Sequence, residues 1–172
     1  MPEPIKIAVL GAGTWGATLA ALLAENKHSV RLWDVSTEVM VHLGASRIPA
    51  KLPHLKLPGT VAMEHSLPAA LDTVDMVVIV IPSHAVRTLC GQIATIIGPK
   101  ANPLFVVCSK GIEQKTLLPL SGVMEEVLGP RIRDSFCCLS GPSHAEEVSV
   151  RMPTSIVASA WRLEAARQIQ NV

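Results

Sequence analysis

The sequence is poor in charge and favours neither sign. Of its 172 residues only 17% are charged, 15 lysines and arginines against 14 aspartates and glutamates, and the cations are scattered. That excludes the basic stripe of a nucleic-acid binder and the polybasic face of a membrane-surface protein. Long hydrophobic runs are also missing: the longest, Met76–Ile81, is closed by Pro82 and is far too short to span a bilayer. The N-terminal stretch from Met1 to Lys6 leads straight into an apolar strand, without the basic start and apolar stretch of a secretion signal. No Cys-x-x-Cys pair exists, and Cys90, Cys108, Cys137 and Cys138 all lie in apolar segments, so a reduced, cytoplasmic protein with buried thiols is expected. Cys137 and Cys138, being adjacent on a strand, should point to opposite faces. The histidines (His28, His42, His54, His65, His84, His144) fall in separate segments with no His-x-x-x-His spacing, so no metal site is predicted. His144-Ala145-Glu146 matches half of a deaminase signature, but the Pro-Cys-x-x-Cys half is absent. No Gly-x-Ser-x-Gly elbow and no Walker lysine occur either.

What is present is apolar and periodic. Hydrophobic residues make up 49% of the chain, enough for a well-buried core, and the length suits one domain. Short aliphatic runs alternate with helical patterns. Strands are predicted at Ile5–Leu10, Val30–Trp33, Thr60–Met63, Met76–Ile81, Leu104–Cys108, Ser135–Ser140 and Ser155–Ser159. Helices are predicted at Thr14–Asn26, Ser36–Leu43, Leu67–Leu71, Ser83–Ile97, Thr116–Leu128, Ser143–Val148 and Trp161–Val172, and Ser46–Pro58, with three prolines and no period, reads as an irregular loop. Strands that are apolar throughout belong in a parallel sheet covered by helices on both faces. The expected architecture is therefore doubly wound α/β with a mostly parallel sheet.

Gly11-Ala12-Gly13-Thr14-Trp15-Gly16 matches G-x-G-x-x-G between the first predicted strand and the first helix, which is the context that gives this string meaning. Gly11 permits the tight turn, Gly13 lets the backbone approach a pyrophosphate, and Gly16 removes a side chain where helix and strand touch. The helix start would then turn free amides and its positive end toward a dinucleotide. Asp34 ends the second strand, where an acid can accept hydrogen bonds from both hydroxyls of an adenosine ribose and repel the 2′-phosphate of NADP. The plainer reading is a helix-capping or solvated aspartate.

Lys110 follows the end of a buried strand, where ligands gather in open α/β sheets. An ammonium there can hold a phosphate or stabilise charge on a carbonyl oxygen, unless it is simply a surface lysine. Ser143 and Glu146 have the spacing of a capping box, which is compatible with amides presented to an anionic substrate. Ser83, after Pro82, is expected to cap the next helix and to border the nicotinamide side.

Four strings carry a family resemblance: Gly11–Gly16, Val80-Ile-Pro-Ser-His-Ala-Val-Arg87, Ser109-Lys-Gly-Ile-Glu113 and Leu139-Ser-Gly-Pro-Ser-His-Ala-Glu-Glu-Val148. Together they resemble the cofactor half of the NAD(P)-dependent glycerol-3-phosphate dehydrogenases. The resemblance implies a Rossmann-type fold and reversible hydride transfer between NAD(P)H and dihydroxyacetone phosphate, giving the glycerol 3-phosphate of phospholipid synthesis. It implies Thr14 and Trp15 at the cofactor phosphates, Ala145 beside the cofactor, Gly141 and Ser143 beside the substrate, and Lys110 near both. NADP-using bacterial relatives often carry Arg or His two residues beyond the second-strand Trp, where this sequence has Val35 after Asp34; that tilts the expectation toward NAD. The family's Asn-x-x-Tyr/Phe-Leu-Pro loop is only half kept, as Ile48-Pro-Ala-Lys-Leu-Pro53.

In that family the proton-transferring lysine and most ligands of the substrate phosphate lie in a helical C-terminal domain, and this sequence ends inside its predicted final helix. Residues 1–172 are therefore expected to form one dinucleotide-binding domain of a protein about twice this length, binding cofactor with negligible turnover. The longer protein would act on a small molecule, without nucleic acid or membrane insertion, and a homodimer is compatible with the family. Two other readings stay open: another hydroxyacid- or ketopantoate-type dehydrogenase, and a non-catalytic dinucleotide sensor. The sensor would have no use for Lys110.

Overall fold

In a computed structural model, residues 3–98 and 102–172 are described; Met1 and Pro2 of the N-terminal stretch lie outside them. The strands are β1 (Lys6–Leu10), β2 (Ser29–Trp33), β3 (Ala62–Glu64), β4 (Met76–Ile79), β5 (Leu104–Val107), β6 (Phe136–Ser140) and β7 (Val157–Ala160). They form one sheet in the order β3-β2-β1-β4-β5-β6-β7, in which β1 to β6 are parallel and β7 joins β6 antiparallel. The chain turns from β1 outward through β2 to β3, then returns to β4 on the other side of β1. That reversal opens the crevice in which doubly wound sheets bind ligands.

The helices are α1 (Thr14–Glu25), α2 (Thr37–Ser46), α3 (Leu67–Leu71), α4 (Val86–Ile97), α5 (Leu120–Leu128), α6 (Ile132–Ser135), α7 (Ala145–Ser149) and α8 (Leu163–Gln170). Strand periodicity divides them between two layers. Ile7, Val9, Val30, Leu32 and Val78 point to one face and pack with Ala17, Ala20 and Ala24 of α1 and with Met40 and Leu43 of α2. Ala8, Leu10, Val77, Ile79 and Phe105 point to the other and meet Leu89 and Ile93 of α4 and Met124 of α5. Both faces of the inner strands are thus dry, which is why those strands are apolar without alternation. Each buried aliphatic side chain contributes about 1.5–3 kcal/mol relative to exposure. Cys137 is buried and Cys138 half-buried, consistent with their opposite orientations on β6.

Several boundaries depart from the sequence reading. The helix predicted from Thr116 begins at Leu120: Leu117 has φ +60°, and the residue before Pro119 is sterically biased away from helix. Ser83–Ala85 is a short 3₁₀ turn before α4, so Ser83 caps nothing; Ala85 stands at the start of α4 without a side-chain cap. The capping box at Ser143 does not form either. The amide of Ser143 donates to Gly141 O at 2.9 Å in a tight turn, so α7 begins one residue too late, behind His144, and has no side-chain cap. Helix α6 was not anticipated.

Candidate functional site

Because β1 to β6 run parallel, their carboxyl ends share one edge, and the predicted site residues all follow those ends. Two of the three glycines in the first loop are fixed by the protein itself. Gly11 has φ +114°, and a Cβ there would lie 2.3 Å from Val80 O; a Cβ on Gly16 would lie 1.8 Å from Gly11 O. Neither position can accept a side chain without the backbone moving. Gly13 is different: its backbone is ordinary (φ −66°, ψ −175°), and a Cβ there would meet nothing within 4 Å. The space above Gly13 is open, as close approach of a pyrophosphate requires. Gly13 also stands at the N-terminus of α1, where no side-chain cap and no acidic residue competes for the first-turn amides.

Asp34 does more than either sequence reading allowed. Ala12 N donates to Asp34 Oδ2 at 2.7 Å and Ser36 N to Oδ1 at 2.9 Å, so the carboxylate clamps the glycine loop to the end of β2. Each oxygen keeps a lone pair for a further donor. The capping role falls instead to Ser36, whose Oγ accepts from Val39 N. Asp34 borders two cavities. One, of about 390 Å³, lies between Trp33 and Val35 on one side and Ile81, Pro82 and Ala85 on the other, apolar enough for a flat ring. The other, of about 660 Å³, runs along Ala12, Gly13, Thr14, Glu38, His42 and Lys51. Lys51, in the half-kept loop, is thereby brought beside the glycines.

Beyond the helix start a third cavity, of about 320 Å³, is lined by Thr14, Trp15, Lys110, Gly141, Ser143 and Ala145, with Ser109, Ser140 and Glu146 among its other walls. Thr14 lines this cavity and the 660 Å³ one, so the two meet over the first turn of α1. Lys110 is the one lysine or arginine in the 320 Å³ lining, and it also borders an adjoining hollow of about 440 Å³ with Leu120, Ser140 and Trp161. Of the predicted residues Gly11, Gly16 and Ser83 line none of these cavities; Ser83 faces Gly111, whose hypothetical Cβ would approach Ser83 Oγ to 3.4 Å.

Two wall residues were not anticipated. Ser109 Oγ accepts from Ile81 N at 3.3 Å and donates to Ile79 O at 3.5 Å, tying the ends of β4 and β5. Burial pushes the Cys108 thiol up to about 12, so it stays protonated and un-nucleophilic at neutral pH. Among the described residues, no three of His, Cys, Asp and Glu gather closely enough to hold a metal ion, and no helix is long and apolar enough to cross a membrane.

A glycine turn at the switch point, an acid ending the next strand and a helix start open to ligand define a dinucleotide-binding α/β domain of the Rossmann type. The chain belongs to a particular family of them, the NAD-dependent glycerol-3-phosphate dehydrogenase N-terminus, whose model matches residues 6–166. It is 42% identical over 169 residues to a glycerol-3-phosphate dehydrogenase [NAD(P)+] of Geobacillus kaustophilus, covering 97% of this chain and 48% of that protein. A relative of the same description from Geobacter metallireducens is 41% identical over 168 residues, covering 97% and 50%. Among solved structures, glycerol-3-phosphate dehydrogenase from Coxiella burnetii superposes with a TM-score of 0.88 at 28% identity, over 98% of this chain and 50% of that one. The chain thus spans about half the length of the relatives it matches.

Proposed function

We propose that residues 1–172 form the cofactor-binding domain of an enzyme that interconverts dihydroxyacetone phosphate and glycerol 3-phosphate with NAD or NADP. The observation that carries this reading is the convergence of Thr14, Lys110, Gly141 and Ser143 on one cavity at the open end of the glycine loop, in a chain about 40% identical to enzymes of that description. Gly11, Gly13 and Gly16 with the α1 amides take the pyrophosphate, Thr14 and Trp15 flank it, and Asp34 takes the adenosine ribose. A nicotinamide bound here supplies or accepts the hydride. Lys110 holds the substrate and stabilises negative charge on its carbonyl oxygen, Gly141 and Ser143 border the substrate, and Ala145 borders the cofactor. Ser83, which faces Gly111 beside Lys110, borders the nicotinamide side. Asp34 favours NAD, since a 2′-phosphate would sit against its carboxylate.

The 172-residue chain binds dinucleotide with negligible turnover, because the remaining substrate ligands and the proton donor belong to the part of the enzyme that the relatives have beyond it. The longer protein works on a small molecule in the cytoplasm, as a homodimer, which sedimentation of the longest native form tests. That form, given dihydroxyacetone phosphate, is expected to oxidise NADH faster than NADPH. Oxidation of NADPH alone would keep the reaction and discard the cofactor preference. Binding of both without oxidation of either would overturn the substrate and return the hydroxyacid-type enzyme or the sensor.

A further inference from the structure

Lys110 sits at the start of a segment with almost nothing to hold it. From Lys110 to Pro119 every residue is exposed except Glu113 and Leu118, and no helix or strand forms until α5. Glu113 is the exception that matters: its side chain is only 13% exposed. Arg87, in the first turn of α4, grips it in a two-pronged fork, Nε to Oε1 at 2.7 Å and Nη2 to Oε2 at 2.8 Å. The same Nη2 reaches Glu126 Oε2 on α5 at 2.8 Å, and Thr116 Oγ1 donates to Glu113 Oε2 at 2.6 Å. The backbone closes around this node, with Leu117 N bonded to Glu113 O at 2.8 Å and Glu113 N to Leu118 O at 2.9 Å. The result is a small ring anchored to two helices.

Arg87 also belongs to the other side of the crevice. It stands between Ala85 and Thr88, both of which line the cavity beside Asp34. Ser83, at the start of the same segment, faces Gly111 next to Lys110, close enough that a Cβ on that glycine would lie 3.4 Å from Ser83 Oγ. A lone exposed ion pair would contribute little, but a bidentate fork onto a shielded carboxylate, with a third partner, has the geometry that fixes position.

Building on the dehydrogenase reading above, we propose that Arg87 and Glu113 are positioning residues: their fork sets Lys110 against the 320 Å³ cavity and couples its loop to the segment beside the dinucleotide. Neither touches the cavity. The Arg87 guanidinium, then the Thr116 hydroxyl, hold the Glu113 carboxyl down at about 2. The charged groups around it are Arg87 from α4, Glu126 from α5 across that same guanidinium, and Lys115 on its own loop. Glu113 therefore stays ionised, and the strap closed, from neutral pH down to about pH 2.

The test uses the longest native form and the variants Arg87→Ala, Arg87→Lys and Glu113→Gln. Arg87→Ala and Glu113→Gln should lower kcat about 10- to 100-fold while the NADH Kd changes less than about twofold, because a slightly misplaced group costs rate more than cofactor affinity. Arg87→Lys, which keeps the charge but not the fork, should fall between. Folded variants with the parent's kcat would overturn the proposal. If the parent itself does not turn over dihydroxyacetone phosphate, the dehydrogenase reading fails separately, and amide hydrogen exchange of the 172-residue chain decides the strap. Exchange at residues 112–118 at least about tenfold faster in Arg87→Ala supports it, and unchanged exchange overturns it.

Discussion

Residues 11–16 and residues 109–119 come together at the same cavity but are held by different forces. The glycine loop is fixed by backbone contact: Gly11 and Gly16 lie so close to Val80 O and Gly11 O that a methyl group would not fit. The lysine loop touches little and is fixed by charge, through Arg87, Glu113 and Thr116. Steric constraints of the first kind are short in range and admit one residue type. Polar constraints of the second kind join distant segments and admit graded change. The first loop should therefore break all at once and the second by degrees.

The largest effect is expected at Gly16. Gly16→Ala should cost about 3 kcal/mol or more, or prevent folding, as read by urea denaturation of the 172-residue chain. A loss under about 1 kcal/mol would mean that the contact with Gly11 O relaxes easily. On the other side of the crevice, Lys110→Met should leave stability within about 0.5 kcal/mol of the parent, since the side chain is exposed, yet lower kcat of the longest native form about 10²–10³-fold. A tenfold loss or less would assign the charge stabilisation elsewhere. Asp34→Asn removes charge while keeping one acceptor oxygen, so the ratio of NADPH to NADH affinity should rise about tenfold in fluorescence titrations; an unchanged ratio would reduce Asp34 to the loop clamp alone. The smallest effect concerns Ser143. With no capping box formed, Ser143→Ala should change stability by less than about 0.5 kcal/mol, where a true cap would cost about 1 kcal/mol.

The same contrast explains what could be read in the sequence. The layered sheet and the glycine loop were legible because apolar runs and glycine spacing report local sterics directly. Asp34 was legible as the acid that ends the second strand, and its bond from Ser36 N is local, but its bond from Ala12 N depends on how β1 and β2 lie side by side, which no spacing encodes. Ser143 was misread as a cap because the turn at Gly141 and Pro142 takes its amide first. The start of α5 was misread because Leu117, Leu118 and Leu120 continue a helical pattern that Pro119 interrupts. The strap joins residues 26 and 39 positions apart. One signal for it was present: the strings Val80–Arg87 and Ser109–Glu113 each end on a charge, and the two charges are opposite.

Gly13 lies between the two regimes and offers the most direct test, because the protein gives no reason of its own for a glycine there. Gly13→Ala in the 172-residue chain should be as stable as the parent, or up to about 1 kcal/mol more stable, since its φ and ψ suit alanine and the added methyl meets nothing. Its NADH affinity, measured by fluorescence titration, should fall at least about tenfold, because the methyl occupies the approach of the pyrophosphate. An alanine variant that folds normally and binds NADH as tightly as the parent would contradict the dinucleotide site itself.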